Sequence, residues 1–178
     1  MLNTAKIAFC GSMTALSVTV MLISGIFAPG FYTLPAFSGV VLAVICLEIG
    51  LKWSLISFSA TSILSLLLSP NKEAPLMFIM FFGYYPIFKI YLDKIKSKIL
   101  KLCGKIFIFN VASVLEFFIT TKLLSIPEET YNFFGAYTPL ALLLLGNIVF
   151  LIYDRAVFNL IAIYLFKFSE KIKNLMNL

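Results

Sequence analysis

Three charged side chains stand inside long apolar stretches of this chain: Glu116, Asp154 and Arg155. Charge placed in hydrocarbon is costly, so residues of this kind mark either paired or functional positions. Asn110, Ser113, Glu116 and Thr120 recur at three- and four-residue spacing and so fall on one helix face. Asn147 and Asp154, seven apart, do the same on a second helix. A carboxylate in low dielectric needs a partner, and a ligand amine or ring N–H would supply one. Glu116, Thr120 and Asn147 are therefore read as the floor of a small-molecule pocket. Asp154 and Arg155 are sequence neighbours, which do not face each other on a helix. Arg155 is expected to find an acid on another helix, and the two charges are read either as a structural ion pair or with Asp154 free for another role.

Other chemistry is poorly supplied. The chain has no histidine, hence lacks the commonest general base and the commonest metal ligand. Its acids are scattered, with no nucleophile–base pair, so no catalytic residue, no metal site and no cofactor are expected. Cys10, Cys46 and Cys103 lie far apart and read as apolar packing residues.

Three polar or aromatic loops could close over the Glu116 face. The first contains Phe31-Tyr32. The second is a charged turn, Asn71-Lys72-Glu73, bracketed by Pro70 and Pro75 within LSPNKEAPLMFIMFFGYYPI (residues 68–87). The third contains Tyr131-Asn132-Phe133-Phe134. A single interfacial tyrosine marks an anchoring belt as readily as a site, and a plain connection needs only a turn. Three such loops together describe a lidded, largely apolar pocket suited to a small planar ligand, with Tyr32, Asn71, Lys72, Glu73, Tyr131 and Asn132 as its contacts.

The elements that must position these residues follow from composition. Of 178 residues, 61% are hydrophobic and 12% charged, against about 25% charged in soluble domains. The apolar runs are continuous rather than alternating, so helices are expected and not a barrel. The reading is an all-α membrane protein, a compact single-domain bundle of six transmembrane helices over about 6–27, 36–47, 52–68, 76–91, 107–124 and 140–168. Residues 93–105 carry Lys94, Lys98, Lys101 and Lys105 at 4-3-4 spacing and are read as an amphipathic surface helix. Almost all lysines fall on the side of the termini, with Lys72 and Lys122 opposite, so both termini are expected in the cytoplasm. The net charge of +6 thus serves topology, and no nucleic-acid partner is expected.

In the first span Ala5, Ala8, Ser12, Ala15 and Thr19 form a strip of small residues, with Gly11-x-x-x-Ala15 beside Ala8-x-x-x-Ser12. Such strips let helices approach closely in lipid, within the bundle or against a second subunit. Six helices in under two hundred residues, this strip, three external loops and the turn Pro70-Asn71-Lys72-Glu73-Ala74-Pro75 together resemble the substrate-binding (S) component of an energy-coupling factor (ECF) type vitamin transporter. LKWSLISFSATSILSLLLSPNKEAPLMFIMFFGYYPIFK (residues 51–89) is similar to a stretch of unassigned members of that group. The family's helix-1 motif is Ala-x-x-x-Ala, which this chain relaxes to the two pairs above. Ala8, Gly11, Ser12 and Ala15 are the docking candidates.

The resemblance implies capture of a vitamin-like compound at a prokaryotic plasma membrane. Import would then be driven by a separate transmembrane coupling subunit and two ATPase subunits. The chain has no P-loop of its own. No motif of the riboflavin, thiamine, biotin or folate members is present, so the substrate is unassigned. A stand-alone proton-coupled carrier using Glu116 or Asp154 is the alternative, favoured if Gly83-Tyr84-Tyr85-Pro86 breaks the fourth helix.

Overall fold

The computed structural model describes residues 2–25, 30–123 and 138–176, and every regular element among them is helical. In chain order they are α1 Leu2–Ser24, α2 Thr33–Glu48, α3 Leu51–Leu68 and the short α4 Glu73–Met77, continued by a π-helical turn, Phe78–Phe82. Then come α5 Tyr85–Leu92, α6 Lys98–Leu123, α7 Thr138–Lys167 and α8 Ser169–Met176. Five stretches are long and apolar enough to cross a membrane: Thr4–Ser24, Leu51–Leu68, Glu73–Leu92, Lys98–Thr120 and Leu143–Lys167. The chain is accordingly an all-α, multi-pass membrane protein.

α2 is apolar but has only 16 residues. At 1.5 Å per residue it covers about 24 Å, short of a hydrocarbon core of about 30 Å. Its position makes the shortfall tolerable. α2 packs against α1, α3, α5, the π turn and α7, and residues 38 to 46 are all buried, so little of it would meet lipid. Gly50, at φ 119°, reverses the chain between α2 and α3 in a conformation that favours glycine. Around α2 the packing uses small hydroxyl residues. α3 turns Ser54, Ser57, Thr61, Ser62 and Ser65 inward, and the Ser54 hydroxyl donates to the Leu42 carbonyl at 2.7 Å. Ser38 on α2 donates to the Ser17 carbonyl of α1 at 3.3 Å. Close helix approach through small residues is the usual mode of association in lipid.

The fourth span is not one helix. Pro86 has no N–H to offer the Phe82 carbonyl one turn back, and the ladder loosens just before it, where the Gly83 N–H reaches the Phe78 carbonyl five residues earlier at 2.7 Å. Gly39 of α2 sits directly against that Phe82 carbonyl. A Cβ added to Gly39 would lie 1.9 Å from the oxygen, so only glycine fits. The fourth span is thus interrupted beside Gly83-Tyr84-Tyr85-Pro86, and the wall formed there carries Phe81 and Phe82.

One element differs from expectation. Residues 93–105 are not a separate surface helix: 93–97 form the connection after α5, and 98–105 are the opening turns of α6. The lysine spacing has another cause. Lys101 donates to the Asp93 carbonyl at 2.8 Å and Lys105 pairs with the Asp93 carboxylate at 2.7 Å, so half of the lysine row faces protein.

Candidate functional site

The π turn, α6 and α7 border a half-open cavity of about 410 Å³, with Tyr32 at the head of α2 contributing to its lining. The walls are aromatic. Phe109 and Phe150 stack at 4.8 Å, Phe81 meets Phe109 edge-on at 5.3 Å, and Phe82 meets Tyr153 at 5.2 Å. Met77, Gly146 and Val149 complete the apolar surface. Polar groups are few: the Ser113 hydroxyl and the Glu116 carboxylate on consecutive turns of α6, with Tyr32 and Tyr153. Among the described residues Glu116 makes no hydrogen bond or ion pair, and no lysine or arginine lines the cavity. The Tyr153 hydroxyl is buried without a partner among the described residues. A second cavity of about 320 Å³ shares Phe109, Ser113 and Gly146 and lies between α6 and α7 beside Phe117 and Phe118.

Of the residues expected to contact a ligand, Tyr32 and Glu116 line this cavity together, although 84 positions separate them. Asn147 sits one residue beyond the lining Gly146 and ties the helices: its amide donates to Asn110 Oδ1 and to the Leu143 carbonyl, both at 2.8 Å. Asn147 Oδ1 is buried with no partner among the described residues. Thr120 lies one turn beyond Glu116 and is half-buried, outside the lining. Tyr131 and Asn132 lie outside the described residues.

The charged turn has local work to do. The Lys72 ammonium donates to the carbonyls of Leu66 at 2.7 Å and Ser69 at 2.8 Å, satisfying the end of α3. Asn71 Oδ1 accepts the Glu73 N–H at 2.7 Å, bracing the entry to α4. None of the three turn residues lines the cavity.

A second polar site lies deeper along the same helices, at the end of the bundle that carries the lysines. Asp154 of α7 accepts from Lys89 of α5, from the Tyr85 hydroxyl at 2.5 Å, and from Lys105 of α6 at 3.1 Å and 3.0 Å to its two oxygens. Asp93 joins the cluster, 3.3 Å from Lys89 and 2.7 Å from Lys105. Exposure of the Lys89 and Lys105 side chains is only 2% and 6%, so these are buried charges, and each is paired twice. Tyr85 joins the two sites. Its ring stacks on Phe81 of the cavity wall at 4.7 Å while its hydroxyl holds Asp154.

Arg155 departs from expectation. It is exposed, makes no ion pair among the described residues, and lies over the Phe158 ring at 5.5 Å. No described acid stands opposite it, because Asp154 faces inward to lysines while Arg155, one position on, faces out. The helix-1 strip also faces outward. Ala8, Gly11, Ser12 and Ala15 are exposed, and a Cβ on Gly11 would meet nothing within 4 Å. Beside them runs a groove between α1 and α3 lined by Gly11, Ala15, Trp53 and Ala60.

Sequence reasoning missed Lys89, Lys105 and Asp93 as site residues, and the aromatic wall of Phe81, Phe109 and Phe150. Lys89 was visible as a lysine within the last turns of an apolar span. The aromatic wall had a signal too: Phe81 and Tyr85, like Phe150 and Tyr153, stand three or four residues apart on one face. No family model matches this chain, and no curated protein or solved structure matches it significantly.

Proposed function

We propose that this chain captures a small, planar, vitamin-like compound within the membrane for ATP-driven import with separate coupling and ATPase subunits, as an ECF-type S component does. The observation that carries this reading is the aromatic cavity of about 410 Å³ with Glu116 unpartnered in its wall. That volume falls in the range of small-ligand sites, about 300–1,000 Å³, and the pattern of apolar walls with few polar fixing groups is theirs also. In this reading six helices cross a prokaryotic plasma membrane, both termini are cytoplasmic, and the cavity opens toward the outside. The exposed strip of Ala8, Gly11, Ser12 and Ala15 docks the coupling subunit.

Native mass spectrometry of the purified protein should reveal a bound small molecule. Reconstituted vesicles should accumulate it only when the coupling subunit and ATPases are added with ATP. Replacing Ala8 or Ala15 by a bulky residue should abolish assembly and leave ligand affinity intact. A cysteine at position 71, but not one at position 96, should react with an impermeant reagent in intact cells.

A second reading is favoured by the break at residues 78–84 and by Tyr85, which links the cavity wall to a buried carboxylate. Both are features that a stand-alone proton-coupled carrier would use. Uptake by the protein alone, driven by a proton gradient without ATP, would establish that reading instead.

A further inference from the structure

We infer that the cavity selects a ligand bearing a single positive charge on or beside a planar ring, such as an aromatic amidinium or amine; this rests on the capture reading above. The described wall presents aromatic rings from Phe81, Phe109, Phe150 and Tyr153 and one carboxylate, Glu116, with no basic side chain among the described residues. Three of the described basic groups are already committed. Lys89 and Lys105 are shared between Asp93 and Asp154, and Lys72 is bound to the carbonyls that end α3. Nothing within the described protein therefore neutralises Glu116, and a buried lone carboxylate is unfavourable without a counter-charge. Anionic ligands would add a second negative charge to the same apolar space. Neutral ones would leave the first unpaired. A cation satisfies the carboxylate through charge-assisted hydrogen bonds and also attracts the negative faces of the rings, and desolvation strengthens both effects.

The geometry also sets where the charge sits. Glu116 lies two turns of α6 beyond Phe109, whose ring stacks on Phe150. The charged end of the ligand thus points toward Glu116 and Ser113, and the ring toward the Phe109–Phe150 pair.

Benzamidine, benzamide and benzoate are close isosteres that carry one positive, no and one negative charge at neutral pH, and they serve as probes. Calorimetric titration of the purified protein in lipid nanodiscs should rank benzamidinium above benzamide and benzamide above benzoate. Glu116→Gln should weaken benzamidinium by about tenfold to a hundredfold, while benzamide stays within about threefold. Glu116→Asp should keep the ranking, and unchanged melting of both variants guards against misfolding. Equal or tighter binding of benzamide or benzoate, indifference of benzamidinium to Glu116→Gln, or no benzamidinium binding at millimolar concentration each overturns the inference. Gly146→Leu fills the cavity and separates the two levels. Benzamide bound in the parent but lost in Gly146→Leu retains a capture site and retires only the charge preference. Probe binding that survives Gly146→Leu retires the cavity itself as the site.

Discussion

Glu116 and Asp154 are both carboxylates set in apolar helices, on α6 and α7, and their surroundings could hardly differ more. Asp154 receives two ammonium groups and a phenol, and the lysines that hold it are held again by Asp93. Glu116 receives nothing from the described protein and faces an aromatic cavity. The difference teaches how to sort buried charge. A group whose hydrogen-bonding capacity is filled from neighbouring helices is holding those helices together, whereas one left empty beside a cavity has capacity to offer a ligand. The two sites are nevertheless one structure, because Tyr85 stacks on the cavity wall and donates into the cluster.

The harshest way to break this contrast is at the cluster. Asp154→Asn would leave Lys89 and Lys105 buried with one carboxylate between them. Removing one partner of a buried ion pair costs about 3–5 kcal/mol. Denaturant titration in detergent should show a loss of that size, with ligand affinity of the folded fraction changed far less. A loss below about 1 kcal/mol would mean that the cluster does not hold α5, α6 and α7 together.

Gly39→Ala should come next and act in the opposite place. The new methyl would collide with the Phe82 carbonyl, displacing the π turn that carries two of the cavity's aromatic residues. Overpacking of this kind costs about 1–3 kcal/mol. Because the damage falls on the cavity wall, affinity should fall together with the melting temperature. Stability lost without affinity would place the binding site elsewhere.

Lys72→Met tests a smaller effect. It removes an ammonium that satisfies the last carbonyls of α3. Because the group is solvent-exposed, the loss should be about 0.5–1.5 kcal/mol, the usual net worth of a hydrogen bond. Affinity should be unchanged, since Lys72 does not line the cavity. A loss of affinity at constant stability would return the turn to the binding site.

These expectations also mark what could be read from the chain. The helices were legible because long apolar runs admit nothing else, and Glu116 stood out because charge in such a run is rare. The joining of Tyr32 to Glu116 followed from helix direction, which sets depth along a bundle. The lysine row of residues 94–105 misled because an amphipathic period looks the same whether its polar face meets water or a buried acid. Lys105 does the second, and only the position of Asp93, folded back from the end of α5, distinguishes the cases. Arg155 misled for a related reason. A charge in an apolar stretch suggests burial, but the chain does not say which side of α7 faces protein. The hydroxyl face of α3 was present as a period, Ser54, Ser57, Thr61 and Ser65, and its meaning depended on α2 being short and central.

The smallest expected effect is the sharpest test, because it repeats at Glu116 the chemical change made at Asp154. Glu116→Gln also turns a carboxylate into an amide of the same shape. At Asp154 the change unbalances buried lysines; at Glu116 there is no described counter-charge to strand. The wild-type side chain already bears the cost of a lone carboxylate beside aromatic rings, and a neutral amide in that space costs less. Stability should therefore be unchanged or rise by up to about 1 kcal/mol, measured on ligand-free protein in the same detergent titration. The sign is what matters. If Glu116→Gln destabilises the ligand-free protein by 2 kcal/mol or more on the scale of a lost buried hydrogen bond, Glu116 has a structural partner after all, and the distinction between a filled carboxylate and an empty one disappears.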